Sequence, residues 1–197
     1  MDVLSLALIT GLGWTSGLRF YAVLFALGAM HRYGLYTLPA SLELLAHPWV
    51  FAVSGLLFVT EFFADKTPGV DTVWDAIHTF IRIPGGALLA AAAVVDSDPG
   101  LALAAALLGG TIAAGAHFTK AGSRALINLS PEPFSNWTAS LTEDTLALAA
   151  LWTMLKYPLL FLGLLVLFLL AVLWLLPRLW RGIRSVFAKL AGSANHN

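Results

Sequence analysis

Long apolar runs separated by short polar punctuation set the pattern of the chain: residues 4–30, 49–63, 83–95, 101–116 and 146–176. The runs are continuous rather than alternating and rich in Leu and Ala, which suits helices and not half-buried strands. A helix needs about 20 mostly apolar residues to cross a bilayer. In lipid every backbone polar group must be satisfied within the segment or in a closed barrel. The pattern therefore predicts an all-α, polytopic helical membrane protein with about five crossings.

The first predicted helix covers about residues 3–30, with Arg19 set among Gly11, Gly13 and Gly17. A loop over residues 31–46 leads to a second helix from Trp49 to Asp65, and Pro68-Gly69 marks a turn. A third helix from Asp71 is expected to be interrupted at Pro84-Gly85-Gly86 and to resume to Val95. A fourth covers about residues 101–128, and residues 129–142 read as a long polar connection that re-enters the membrane or lies on the surface. The last helix is expected to start at Glu143-Asp144 and run past Pro158 to Leu176.

Beyond Pro177 the pattern changes. Leu179, Trp180, Ile183, Val186, Phe187 and Leu190 fall on one helical stripe, with Arg178, Arg181, Arg184 and Lys189 mainly off it. That is an interfacial amphipathic helix, so residues 1–176 form one transmembrane domain and 177–197 a basic tail. Excess cations favour the cytoplasmic side, which places the C-terminus there. The N-terminus lacks a basic region before its apolar run and is expected to be kept as the first membrane helix.

Two short patterns recur, as in a weak internal repeat. Gly17-Leu-Arg19 matches Gly122-Ser-Arg124, and Asp71-Thr72 with Arg82-Ile-Pro84 parallels Asp144-Thr145 with Lys156-Tyr-Pro158. Repeats with interrupted helices are a pointer to transporter folds.

Composition sharpens this picture. Hydrophobic residues make up 59% of the chain and charged ones 11%, with mean hydropathy +0.83. Net charge is zero, so no basic field argues for nucleic acid, and the absence of Cys removes thiolate chemistry. The bilayer is the expected partner.

The few charges are crowded. Glu61 and Asp65 stack on one helical face, and Asp71, Asp75, His78 and Arg82 follow at spacings of four, three and four. A turn at Pro68-Gly69 would fold these stripes together, giving an oxygen-rich site for a divalent cation, with Asp65, Asp71 and Asp75 as candidate ligands. The same groups could relay protons, with His78 titrating near neutrality, or simply pair with neighbouring cations. His117, Lys120, Arg124 and Asn128 form a basic and polar stripe, which would neutralise the acidic one or bind an anion. Arg19 needs a partner, because a charge at bilayer depth costs at least about 2.5–3.5 kcal/mol.

No Gly-x-Ser-x-Gly, His-Glu-x-x-His or Walker loop is present. The aspartates are loosely similar to those that hold magnesium-diphosphate in membrane phosphotransferases, without their paired motifs.

Residues 61–82, together with Thr119-Lys-Ala-Gly-Ser-Arg124 and Ser130-Pro-Glu-Pro-Phe-Ser-Asn136, resemble a bacterial integral membrane family catalogued as domain of unknown function 4126. The likeness spans most of residues 10–158 and leaves out the basic tail. It implies a bacterial inner-membrane protein with these polar segments as hallmarks, and brings no activity with it.

Three functions stay open. The leading one is a small transporter or channel-like protein for an ion or polar solute, and a homodimer would give it room for a pathway. Its site would comprise Glu61, Asp65, Asp71, Asp75, His78 and Arg82 with Arg19, Lys120, Arg124 and Asn128. The others are a metal-dependent enzyme acting on a lipid-linked phosphate and a non-catalytic membrane scaffold.

Overall fold

The computed structural model describes residues 1–67, 69–96, 98–128 and 133–174. Among them every regular element is a helix: α1 (Val3–Arg32), a 3-10 helix (Ala40–Ala46), α2 (Pro48–Ala64), α3 (Val70–Ala92), α4 (Pro99–Ile127), α5 (Pro133–Lys156) and α6 (Pro158–Trp174). The chain divides into two compact units, Met1–Phe161 and Leu162–Asn197. The described part of the second is the apolar continuation of α6; the predicted basic tail at 177–197 lies outside the described residues.

Helix ends follow local chemistry. Asp2 caps α1 by accepting the Ser5 N–H at 2.7 Å, which also holds its carboxyl below the usual range. Asp98 caps α4 by accepting from Gly100 and Leu101. Gly69, at φ 84°, makes the turn into α3 that only glycine adopts without cost. The 3-10 helix is tied to the end of α3, where Ser41 bonds the Ala92 carbonyl and the Asp96 carboxylate.

Within the first unit α1 is the central element, packed against α2, α3, α4 and α5. It is buried along most of its length, as a helix without a polar face must be. Phe25 stacks on Phe51 with centroids 4.6 Å apart, joining α1 to α2. Against α4 the approach is by backbone: a Cβ on Gly13 would lie 2.5 Å from the Gly109 carbonyl oxygen and 2.8 Å from its Cα. No rotamer change relieves such a contact, so Gly13→Ala is expected to cost about 1–3 kcal/mol. Gly115→Ala, with open space at its Cβ, should be neutral or mildly stabilising. Equal melting temperatures for both variants in detergent would contradict the close approach.

The polarity of α2 and α3 is inverted relative to a water-soluble helix. On α3, Asp71, Asp75, His78 and Arg82 are buried while Val73, Ile77, Phe80 and Leu88 face outward, Phe80 being 83% exposed. On α2, Glu61 and Ser54 are buried while Val53, Leu56, Val59 and Phe63 face outward. Apolar outside and ionic inside is the arrangement of a helical membrane protein, since lipid solvates the first and excludes the second.

Three expectations are corrected. The third helix is continuous through Pro84: one missing N–H removes a single ladder bond, and Gly86 is held against Ala113 of α4, a Cβ there lying 2.7 Å from the Ala113 methyl. Most of the predicted connection at 129–142 is the first part of α5, which starts at Pro133 because proline is tolerated in a first turn. The long last helix is two, broken at Tyr157. Among the described residues, α1 and α4 are long and apolar enough to cross a membrane, or three segments if the 3-10 helix and α2, bent by 67°, count as one broken span. By the same measure α3 and α5 are set apart by their charges and α6 by its length.

Candidate functional site: a buried ionic network

Arg19 interrupts α1. Its backbone (φ −145°, ψ 73°) leaves the helical region near the middle of the helix. The break turns carbonyls out of the ladder, and the Leu18 carbonyl accepts from Lys120 Nζ at 3.3 Å. The Arg19 guanidinium pairs with Asp65 at the end of α2, donates to the Ser140 carbonyl (3.0 Å) and hydroxyl (2.9 Å), and lies 2.9 Å from Asp144 Oδ1 on α5. One fully buried side chain thereby joins three parts of the fold.

The predicted stripes on α3 and α4 face each other in antiparallel register. Asp71 Oδ2 lies 4.0 Å from Arg124, Asp75 Oδ1 lies 3.3 Å from Lys120, and Arg82 lies 3.4 Å from His117 Nδ1. Lys120 also reaches Asp65 at 2.6 Å. Arg82 bridges Glu61 and Asp75, at 2.6 Å each. Asn128 donates to both oxygens of Asp71, at 3.0 and 2.9 Å.

His78 stands beside this network. Its ring nitrogens meet the Trp74 carbonyl (2.7 Å) and the Tyr21 hydroxyl (3.3 Å), and it stacks on Trp74. Tyr21 also lines an open apolar groove of about 330 Å³ with residues such as Leu24, Val53 and Leu57.

Five further residues complete the network. Glu143 forms a two-pronged pair with Arg124 (2.8 and 3.0 Å), Asp144 approaches Arg19, and Lys66 donates to the Ser140 hydroxyl at 3.1 Å. Lys66 Nζ also sits 3.0 Å from the centroid of the Phe62 ring, a cation–π contact. Asn136 accepts from Arg124 and donates to Asn128. Asn136, Ser140 and Glu143-Asp144 recur at helical spacing, a signal visible once the segment is read as helix instead of loop.

The candidate metal ligands are dispersed: Asp65 is engaged by Arg19 and Lys120, Asp71 by Asn128, Asp75 by Arg82. Among the described residues no three His, Asp or Glu side chains group as metal ligands would. The arrangement holds fixed charge in the interior of the helical bundle and shares cations between carboxylates.

Comparison with known proteins gives a family and no activity. No curated protein and no solved structure matches the chain. The sequence model of the family described as Domain of unknown function (DUF4126) matches residues 6–178, most of the chain. The protein belongs to that family, and the matched stretch includes the residues of the ionic network.

Proposed function

We propose that this protein is a small membrane transporter or channel-like protein that moves an ion or small polar solute past the ionic network. The observation that carries the reading is the break of α1 at Arg19, inside a cluster contributed by α1 to α5. Irregular backbone at membrane depth is tolerated where protein or a cavity covers it, and transporters place their sites at such breaks. A bacterial inner-membrane location with a cytoplasmic C-terminus is part of this proposal, supported by the apolar helices and by the cations Arg178, Arg181, Arg184 and Lys189 in the sequence. A homodimer would cover part of the outward apolar surface of α2 and α3.

One observation favours a second reading, a non-catalytic scaffold: nearly every cation in the cluster already has a carboxylate partner. The lipid-phosphate enzyme gains least, since its candidate metal ligands are each held by other protein groups.

The discriminating experiment is flux into proteoliposomes under imposed gradients of protons, sodium, potassium, magnesium and small anions. Flux of one of these is expected with the wild-type protein and is expected to fall to the empty-vesicle level in Asp75→Asn. No flux above empty vesicles for any ion, from a protein with an intact thermal transition, would transfer the weight to the scaffold.

A further inference from the structure

The network has more acid than base. Its described cations are Arg19, Lys66, Arg82, Lys120 and Arg124; its carboxylates are Glu61, Asp65, Asp71, Asp75, Glu143 and Asp144. Five positive charges meet six negative ones.

The imidazoles do not make up the difference. His117 Nδ1 faces Arg82 at 3.4 Å, and a guanidinium can only donate, so this nitrogen accepts and the ring is neutral. Its Nε2–H then donates to Thr79 Oγ1 at 2.7 Å. His78 donates from Nδ1 to the Trp74 carbonyl, and its Nε2 can accept from the Tyr21 hydroxyl, which satisfies a neutral ring as well.

The unsatisfied acid has a defined place. Asp144, Arg19, Asp65, Lys120, Asp75, Arg82 and Glu61 form one alternating chain of anion and cation, with Lys66 3.8 Å from Asp144 at its end. Each of these carboxylates keeps an oxygen that accepts no hydrogen bond: both of Asp144, Oδ1 of Asp65, Oδ2 of Asp75 and Oε2 of Glu61. Asp65, Asp75 and Glu61 are all but fully buried. The remaining two acids are satisfied differently, Glu143 by the fork of Arg124 and Asp71 by Asn128 and the N–H groups of Gly69 and Thr72.

The Asp144 end of this chain is its least enclosed, although both Asp144 oxygens are themselves buried. Asp144 is 14% exposed at its side chain and its neighbour Glu143 12%, while the other ion-pairing side chains are at 4% or less. Arg19 Nε lies 2.9 Å from Asp144 Oδ1 without hydrogen-bond alignment, and Lys66 Nζ is 3.8 Å away. An uncompensated buried carboxylate is costly and takes a proton instead.

Resting on the transport reading above, we infer that the ion handled by this site is a proton, and that Asp144 is the group that holds it. A proton from hydronium forms an O–H bond on Asp144, neutralises its carboxylate and leaves water; its return to water breaks that bond and restores the anion.

The test is infrared difference spectroscopy of the full-length protein in liposomes, stepped between about pH 5 and pH 9, with proton flux measured on the same samples. A titrating protonated-carboxyl C=O band is expected in wild type, absent from Asp144→Asn and retained at an altered frequency in Asp144→Glu. A band unchanged in Asp144→Asn, no titrating carboxyl band at all, or an imidazole signal lost in His78→Asn in its place would overturn the inference. Flux of another ion without a proton band would refute only the proton. A proton band without flux of any ion would refute only transport.

Discussion

Replacing Arg82 by methionine is expected to lower the unfolding free energy by about 3–5 kcal/mol, the cost of breaking a buried ion pair on one side. The guanidinium is fully buried and holds Glu61 of α2 and Asp75 of its own helix at 2.6 Å each. Without it the buried Glu61 loses its cation, and Asp75 is left with Lys120 at 3.3 Å. The loss is readable by denaturant or thermal unfolding in detergent. Neutralising the stranded acid with Glu61→Gln should recover most of it, because the penalty lies in the unpaired charge and not in the lost volume. Arg82→Lys should be intermediate, since a single ammonium does not reproduce a two-armed donor. A loss under about 1 kcal/mol is typical of solvent-exposed pairs and would mean that water reaches the cluster.

Arg19→Met is the second large effect, and it should be felt in packing as well as in stability. Asp65 keeps Lys120 as a partner, but Asp144 and Ser140 on α5 lose their link to α1. A stability loss of about 3–5 kcal/mol is expected on the same grounds, together with looser seating of α5. The chain has no cysteine, so an engineered pair reports this without background. Gly11→Cys with Met154→Cys places thiols where α1 and α5 touch. Their disulfide should form several-fold more slowly in the Arg19→Met background; equal rates would show that α5 is held by its apolar contacts alone.

What the sequence displays well is the facing of α3 and α4. Spacings of four, three and four put Asp71, Asp75, His78 and Arg82 on one stripe, and His117, Lys120 and Arg124 form another; helical period alone assigns their faces. What it hides is decided at long range. No proline is near the break of α1 at Arg19, and Ser16-Gly17 loosens the helix there without marking it as a break; the partners that hold the break lie 46 and 121 residues away. The start of α5 is hidden for a different reason. Its prolines and polar side chains imitate a loop, whereas Asn136 and Ser140 are polar because Arg124, Lys66 and Arg19 require acceptors there. The same substitution of site for loop lowers the apparent number of crossings, since a helix that carries half of an ionic network no longer scores as apolar.

The span of the Arg19 contacts also bears on how the chain is made. Its Ser140 acceptors emerge 121 residues after it, and at about 5–20 residues per second that delay is roughly 6–24 s. Through that interval the first membrane helix carries a cation whose last partners do not yet exist. Asp65 arrives earlier and supplies an anion when α2 is complete; Lys120, Glu143 and Asp144 follow with α4 and α5. Biogenesis of this protein is therefore a matter of holding a half-neutralised bundle at the insertion site until α5 is delivered, and a truncation that ends before residue 140 leaves the nascent chain a substrate for membrane quality control.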